Sequence, residues 1–228
     1  MPARELSAQV LEVMKAQRVA SVKVGALGGR QNVHAVARLL SKYPRVPVVI
    51  DTPMTPTLGT GRLLAAGALA AMREELAPRA TLLTANIDEV FALLGGRARD
   101  RVRTIAEARD AALALCALGA RSALVKGGHL AGTKAIDVLA IDGELIELSA
   151  PRLAIPPTHG TGCTFASLVA GRLAVREQRG DRGDPVERDT LVAAVRWAKR
   201  VHHAALTCTV DVSAAGAAAG KNLRVVVF

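Results

Sequence analysis

The segment Thr158–Thr164 reads Thr-His-Gly-Thr-Gly-Cys-Thr and stands directly before a helical pattern that we place at Thr161–Glu177. Its two glycines flank Thr161, so the backbone at this place can approach an anion closely. The first N–H groups of a helix lack partners within the helix, and the helix dipole adds positive charge at the same end. The segment therefore predicts an anion-binding turn, of the kind that stabilises a phosphoryl group during its transfer.

Cys163 lies in the first turn of that predicted helix. A helix N-terminus favours the thiolate form of a cysteine, and a thiolate can accept the proton of an attacking hydroxyl group. The plain alternative is a glycine turn that opens a helix, with a buried cysteine behind it. The segment alone leaves both interpretations open.

Two further polar motifs each follow a predicted strand. Lys126–His129 (Lys-Gly-Gly-His) comes after Ala123–Val125, and Asn86–Glu89 (Asn-Ile-Asp-Glu) comes after Ala80–Leu83. The carboxyl ends of parallel strands form the edge at which α/β proteins bind ligands. The asparagine and glutamate of the second motif can hold Mg²⁺ through water, or form a helix capping box, and the two roles are compatible.

Short apolar runs alternate with helical patterns in the first half of the chain, which predicts an α/β fold with a parallel sheet covered by helices on both sides. Val19–Val24 and Val46–Ile50 are further strand candidates. One-sided apolar stripes at helical spacing predict helices around Val33–Leu40 and Ile105–Leu115.

The second half of the chain changes its pattern. Asp142-Gly143 is a strong hairpin turn signal, and it joins two β-rich runs. A second long helix and a short last strand are predicted further on, separated by a loosely held Ala/Gly-rich segment. These predicted elements are the hairpin strands Ala135–Ile141 and Glu144–Ser149, the helix Pro185–Leu206, the segment Ala214–Lys221 and the strand Val225–Phe228.

Composition favours one domain that spans residues 1–228, with half of its residues apolar and only 2% aromatic. No stretch approaches the about 20 uninterrupted apolar residues of a membrane span, and Met1–Val19 lacks the apolar middle of a signal peptide. We therefore expect a soluble, cytoplasmic protein. Cys116, Cys163 and Cys208 show no paired spacing, which argues against a disulfide framework or a zinc site.

Several single residues carry weaker signals. Cys116 and Cys208 fall within apolar helical patterns and are expected in the core. His202 and His203 are expected to have surface or core roles rather than to bind a metal, and Trp197 is expected to anchor packing.

The formal net charge of +10 is compatible with nucleic-acid binding or with the attraction of anionic small molecules. Much of it lies in Arg97–Arg103 and Arg176–Arg188, where acidic residues are interleaved. Charge without aromatic residues lacks the stacking platform of single-strand binders, so solvated connecting loops are the favoured interpretation.

Five motifs together resemble those of the hydroxymethylpyrimidine phosphate kinases, within the ribokinase-like superfamily. The resemblance runs from about residue 10 to about residue 210, and its most specific part is Cys163, where related sugar and nucleoside kinases usually carry aspartate. Pyridoxal kinases are the nearest enzyme alternative. The motifs are VKVG (Val22–Gly25), VVIDTPM (Val48–Met54), LLTANIDE (Leu82–Glu89), ALVKGGH (Ala123–His129) and THGTGCT (Thr158–Thr164).

The resemblance implies a three-layer α/β/α sandwich that transfers the γ-phosphate of ATP to a pyrimidine alcohol or to its monophosphate, with ATP and Mg²⁺ as cofactors. It also implies a homodimer or a higher homo-oligomer. The residues that it implies are Gly160, Thr161 and Gly162 for the anion hole, Cys163 for the base, Asn86 and Glu89 for Mg²⁺, and Lys126, Gly128 and Thr158 for the nucleotide.

The resemblance is weaker on the substrate side. Nothing in the chain corresponds to the family's first strand, its glycine-rich loop and its lid, so a strand edge is expected to need cover, most simply by self-association. Ala26 and Pro53 replace residues usual in the pocket, and Thr55–Thr60 and Gly220–Asn222 depart from the family's pattern. These departures motivate a second hypothesis, a non-catalytic relative that binds a nucleotide or a pyrimidine.

Overall fold

A six-stranded sheet organises the chain in the computed structural model, which describes residues 1–53, 64–65, 67–96, 102–128, 130–155, 158–178, 186–211 and 224–225. The strands lie side by side in sequence order; the first four run parallel, and the last two are antiparallel. The predicted sheet is confirmed as mainly parallel. The strands are β1 (Val22–Val24), β2 (Val48–Asp51), β3 (Leu82–Asn86), β4 (Ser122–Lys126), β5 (Lys134–Ile141) and β6 (Glu144–Pro151).

The inner strands are apolar along their whole length because helices cover both of their faces. All four residues of β2 are buried, as are the first four of β3 and of β4. β1 lies at the end of the sheet and is only partly buried. Among the described residues, β1 pairs with another strand on one side only.

The hairpin of β5 and β6 forms at the predicted turn. Asp142 and Gly143 both have positive φ, 51° and 78°, which is the backbone of a type I′ turn. Ile141 pairs with Glu144 across this turn. The two-residue loop thereby fixes the register of the whole hairpin.

Helices pack on both faces of the sheet and divide the core into two layers. One layer lies under the helices between residues 30 and 116, and the other lies under the two long helices that follow the hairpin. Within the described ranges, no helix is long and apolar enough to cross a membrane. The helices are α1 (Ala3–Ala16), α2 (Arg30–Leu40), α3 (Ala68–Ala71), α4 (Ile87–Leu93), α5 (Ile105–Cys116), α6 (Thr161–Gln178) and α7 (Arg188–Leu206).

Several elements were not predicted from the sequence. A π-helical turn at Met72–Leu76 and a 3₁₀ turn at Ala77–Arg79 continue α3. A second sheet has three strands of two residues each, and strands this short give no periodic signal in the sequence. It consists of β7 (Thr158–His159), β8 (Val210–Asp211) and β9 (Arg224–Val225), of which only β9 overlaps a predicted strand, at Val225.

Cys208 was wrongly predicted to lie in the core. α7 ends at Leu206, and Cys208 is exposed in the turn that follows. Cys116 is half-buried at the end of α5, where its Sγ donates to the carbonyl of Ala140. Several other predictions concern residues that lie outside the described ones. These are Ala214–Lys221, residues 226–228, Pro185, and the parts of the two charged segments at residues 97–101 and 179–185.

Candidate active site

Three polar residues meet where neighbouring parallel strands end. Asp51 closes β2, Asn86 closes β3 and Lys126 closes β4. Asp51 pairs with Thr84, and Asn86 with Lys126, in the register of the sheet. The strand ends therefore bring together side chains that are far apart in the sequence, at the edge where α/β proteins bind ligands.

The ammonium group of Lys126 forms the centre of this cluster. Its Nζ donates to Asp51 Oδ1 at 2.8 Å and lies 3.7 Å from Glu89 Oε2. The hydroxyl of Thr84 donates to the same Asp51 oxygen at 2.9 Å. Burial by itself would lower the pKa of Lys126, but the carboxylates of Asp51 and Glu89 outweigh it and raise the pKa. Lys126 is thus a fixed cation that is largely shielded from solvent.

Asn86 and Glu89 form the capping box that the sequence suggested. The N–H of Glu89 donates to Asn86 Oδ1 at 2.9 Å, and the N–H of Asn86 donates to Glu89 Oε2 at 2.7 Å. Burial raises the pKa of Glu89 to about 7, although the charge of Lys126 acts in the opposite direction. The capping role is confirmed, and it leaves Glu89 beside Lys126 at the strand ends.

The glycine turn at the start of α6 lies against this cluster. A Cβ atom added at Gly162 would lie 3.1 Å from Lys126 Nζ and 3.6 Å from Asp51 Oδ2. Gly160 has a φ of 82°, a left-handed conformation that favours glycine. Glycine at these positions therefore lets the first turn of α6 come close to the buried ammonium group.

Cys163 is exposed, which contradicts the plain alternative of a buried cysteine behind the turn. Together with Gly160 and Thr164 it lines one end of a groove of about 490 Å³ that runs along α6 to Trp197. A thiol in this position is accessible to a ligand that enters from solvent.

The remaining predicted residues lie around the cluster. Thr161 opens α6, and Thr158 is buried on β7, just before the glycine turn. Gly128 is exposed in the loop after β4. Ala26 and Pro53 follow β1 and β2 at the same edge of the sheet, and Thr55–Thr60 and Gly220–Asn222 lie outside the described residues.

Asp51 was given no role from the sequence. The signal was a carboxylate directly after the apolar run of β2, which is an unusual place for a charge without a partner. Its side chain is only 2% exposed, and it makes the shortest contact to Lys126 in the cluster. Asp51 therefore belongs to the site on geometry.

Residues 1–219 match the sequence profile of the family described as "Phosphomethylpyrimidine kinase". The chain belongs to this family. It is 43% identical over 174 residues to the hydroxymethylpyrimidine/phosphomethylpyrimidine kinase of Streptomyces coelicolor, an alignment that covers 76% of this chain and 62% of that protein. The protein of the same name from Haemophilus influenzae is 33% identical over 211 residues, covering 91% of this chain and 72% of that protein.

The fold is also shared with solved structures of related kinases. The ADP complex of Bacillus subtilis pyridoxal kinase matches with a TM-score of 0.77 at 28% identity, covering 93% of this chain and 73% of that one. This confirms the ribokinase-like α/β fold. The chain spans less than two thirds of the length of the Streptomyces coelicolor relative.

In this kinase-family chain, His202 of α7 lies next to the glycine turn at the start of α6. Its ring packs edge-on against Phe165 of α6, with ring centroids 5.8 Å apart, and it interacts with the backbone of Thr161. Burial, followed by the positive charge of Lys199, lowers the pKa of His202 to about 4. The folded protein therefore holds this imidazole in its neutral form at neutral pH.

We expect His202 to make the protein less stable in mild acid. Because the unfolded chain binds a proton near pH 6.5 and the folded one only near 4, the stability from neutral His202 is complete above 6.5 and is lost as the pH falls toward 4. The loss is on the order of 3 kcal/mol. Urea unfolding at several pH values measures it in the parent protein, in His202→Gln and in the matched control His203→Gln.

The expected result is a smaller loss of stability between pH 6.5 and 4.5 in His202→Gln than in the parent and in His203→Gln. Parallel pH profiles for the parent and His202→Gln would contradict the assignment.

Proposed function

We propose that this chain is an ATP-dependent kinase that phosphorylates hydroxymethylpyrimidine or its monophosphate. The observation that carries the proposal is the close approach of the Gly162 turn to the Lys126 ammonium group. A helix N-terminus and a buried cation beside each other form a strong binding site for a phosphoryl group. The relatives with this activity in their names support the choice of acceptor.

The proposed chemistry assigns one task to each part of the site. The backbone N–H groups of Gly160, Thr161 and Gly162 would stabilise the charge that develops on the transferring phosphoryl group. Lys126, with Gly128 and Thr158 nearby, would bind the phosphates of the nucleotide. The thiolate of Cys163 would take the proton of the acceptor hydroxyl as its oxygen attacks the γ-phosphorus, and ADP would leave.

Mg²⁺ would be held near Asn86 and Glu89, largely through water. Among the described residues, no group of three or more His, Cys, Asp or Glu side chains lies close enough to bind a metal ion. Mg²⁺ keeps several waters and commonly uses one or two carboxylates together with the phosphates of the substrate, so the Glu89 carboxylate and the Asn86 amide would suffice as protein ligands. When bound, the ion would neutralise part of the charge of the nucleotide phosphates.

Two alternatives have specific support. The match to Bacillus subtilis pyridoxal kinase makes pyridoxal a second candidate acceptor. The altered residues Ala26 and Pro53, which follow β1 and β2 at the site's edge, favour a relative that binds nucleotide without turnover. Self-association belongs to the same proposal because, within the part of the chain that the structure describes, β1 pairs with a strand on one side only. A single-chain molar mass by light scattering would argue against it.

We expect release of ADP from ATP and Mg²⁺ when hydroxymethylpyrimidine or its monophosphate is supplied, and a much lower rate without an acceptor. A coupled ADP assay with each acceptor, and with pyridoxal in parallel, measures this. Turnover with pyridoxal alone would transfer the assignment to the pyridoxal kinases. Nucleotide binding without turnover of any acceptor would support the non-catalytic alternative.

A further inference from the structure

Lys199 and Asp137 form a buried ion pair on the inner side of α7. Asp137 contacts Gly127, which directly follows Lys126 of the candidate site. Lys199 Nζ donates to Asp137 Oδ2 at 2.7 Å, and the two side chains are only 13% and 7% exposed. Asp137 is on β5, the strand that comes after the loop following β4. Neither residue is assigned a role in the proposed chemistry, and a buried ion pair gives little net stability by itself.

The second oxygen of Asp137 holds the backbone of that loop. The N–H of Gly127 donates to Asp137 Oδ1 at 3.0 Å. A Cβ atom added at Gly127 would lie 1.8 Å from the carbonyl oxygen of Ile136, so the loop runs in direct contact with β5. Gly127 immediately follows Lys126, so its fixed N–H adds to the pairing of β4 with β3 in holding the backbone from which the Lys126 side chain extends.

The same face of α7 also contacts the glycine turn at the start of α6. His202 lies three residues after Lys199, a spacing that places both on one side of a helix. Its ring packs on Phe165 and interacts with the backbone of Thr161 at the start of α6. α7 thus contacts the anion-binding turn directly, and it contacts the Lys126 loop through Asp137.

We propose that Lys199 is a positioning residue for the nucleotide site. By neutralising and orienting Asp137, it fixes the Gly127 N–H and holds the Lys126 ammonium group in register with the glycine turn on α6. The Lys199 ammonium group is buried against Asp137, so its effect is on the geometry of nucleotide binding. This inference rests on the proposed function, because it requires that the Lys126 side of the site binds a nucleotide.

The test measures the affinity for ADP with Mg²⁺ by calorimetry, together with urea unfolding, in the full chain. Lys199→Met removes the charge and is expected to weaken ADP binding by about tenfold or more, the scale of one lost charge-assisted hydrogen bond. Lys199→Arg keeps the charge and is expected to retain most of the affinity. Arg200→Met removes an exposed charge from the next position of α7 and serves as the matched control.

A double variant separates positioning from folding. In Lys199→Met with Asp137→Asn, the amide oxygen can still accept from Gly127, and no buried charge lacks a partner. We expect ADP affinity within about threefold of the parent protein, because the hydrogen bond that positions the loop is retained. This rescue also keeps the test valid if Lys199→Met alone does not fold.

Each outcome decides a different question. Unchanged ADP affinity in folded Lys199→Met, or a double variant that folds without regaining affinity, would overturn the positioning role and leave the proposed function intact. A parent protein that binds no ADP would overturn the nucleotide site itself, and the positioning role with it.

Discussion

Replacement of Cys163 by alanine is expected to reduce turnover by about 100-fold to 10,000-fold, the usual contribution of a general base. Cys163 is exposed at the start of α6, so its loss leaves no cavity in the core and little change in stability is expected. Affinity for ADP should also stay close to that of the parent protein, because the backbone N–H groups of the turn and Lys126 remain. The coupled ADP assay, calorimetry with ADP and urea unfolding together measure the three quantities.

The matched control for this variant is Cys208→Ala. Cys208 is also exposed, and it lies in the turn after α7. The Cys208→Ala variant should leave turnover unchanged within a factor of about two, because a surface substitution away from special features has little effect on stability. If Cys163→Ala retained most of its activity, the assignment of the base would be wrong, while the nucleotide site could stand.

Local patterns were sufficient to predict most of the fold. The Asp142-Gly143 turn was predicted because only two residues and their φ angles decide a type I′ hairpin. The capping box of Asn86 and Glu89 was predicted because its partners are three residues apart. The inner strands were predicted because burial on both faces leaves a continuous apolar run.

Contacts between distant residues could not be predicted in this way. Lys126 and Asp51 are 75 positions apart, and Lys199 and Asp137 are 62 positions apart. No spacing rule pairs such residues; only the parallel order of the strands and the packing of α7 bring them together. The sequence thus indicated Lys126 as a cation at a strand end, but not the carboxylate that holds it.

The family resemblance supplied roles for residues whose local patterns left the roles open. The structure shows where these residues lie relative to one another. Gly162 and Lys126 are brought together, which agrees with a phosphate site. Cys163 lies next to that contact but opens into the groove along α6. The proposed base and the glycines proposed to bind the phosphoryl group therefore lie next to each other in one turn, an arrangement that suits transfer to an acceptor arriving from solvent.

Replacement of Lys126 by methionine is expected to destabilise the protein by about 3–5 kcal/mol, because it leaves the buried carboxylate of Asp51 without its cation. Asp51 would then keep only the hydroxyl of Thr84 as a side-chain donor among the contacts described above. Glu89 can respond by taking up a proton, since its pKa is already about 7. Urea unfolding at neutral pH measures the loss.

A second variant separates the stability cost of an unpaired buried charge from the stability cost of lost packing. Lys126→Met combined with Asp51→Asn removes both charges and should recover most of the stability, but neither variant should bind ADP with the affinity of the parent protein. Lys15→Met breaks the exposed pair with Glu12, whose side chains are 66% and 74% exposed, and should cost less than about 1 kcal/mol. Equal stability losses in Lys126→Met and in the double variant would show that the loss in Lys126→Met does not come from the unpaired charge of Asp51. Recovery of stability without recovery of ADP affinity would instead identify Lys126 as a ligand of the nucleotide, held in place by a carboxylate that the fold could not otherwise bury.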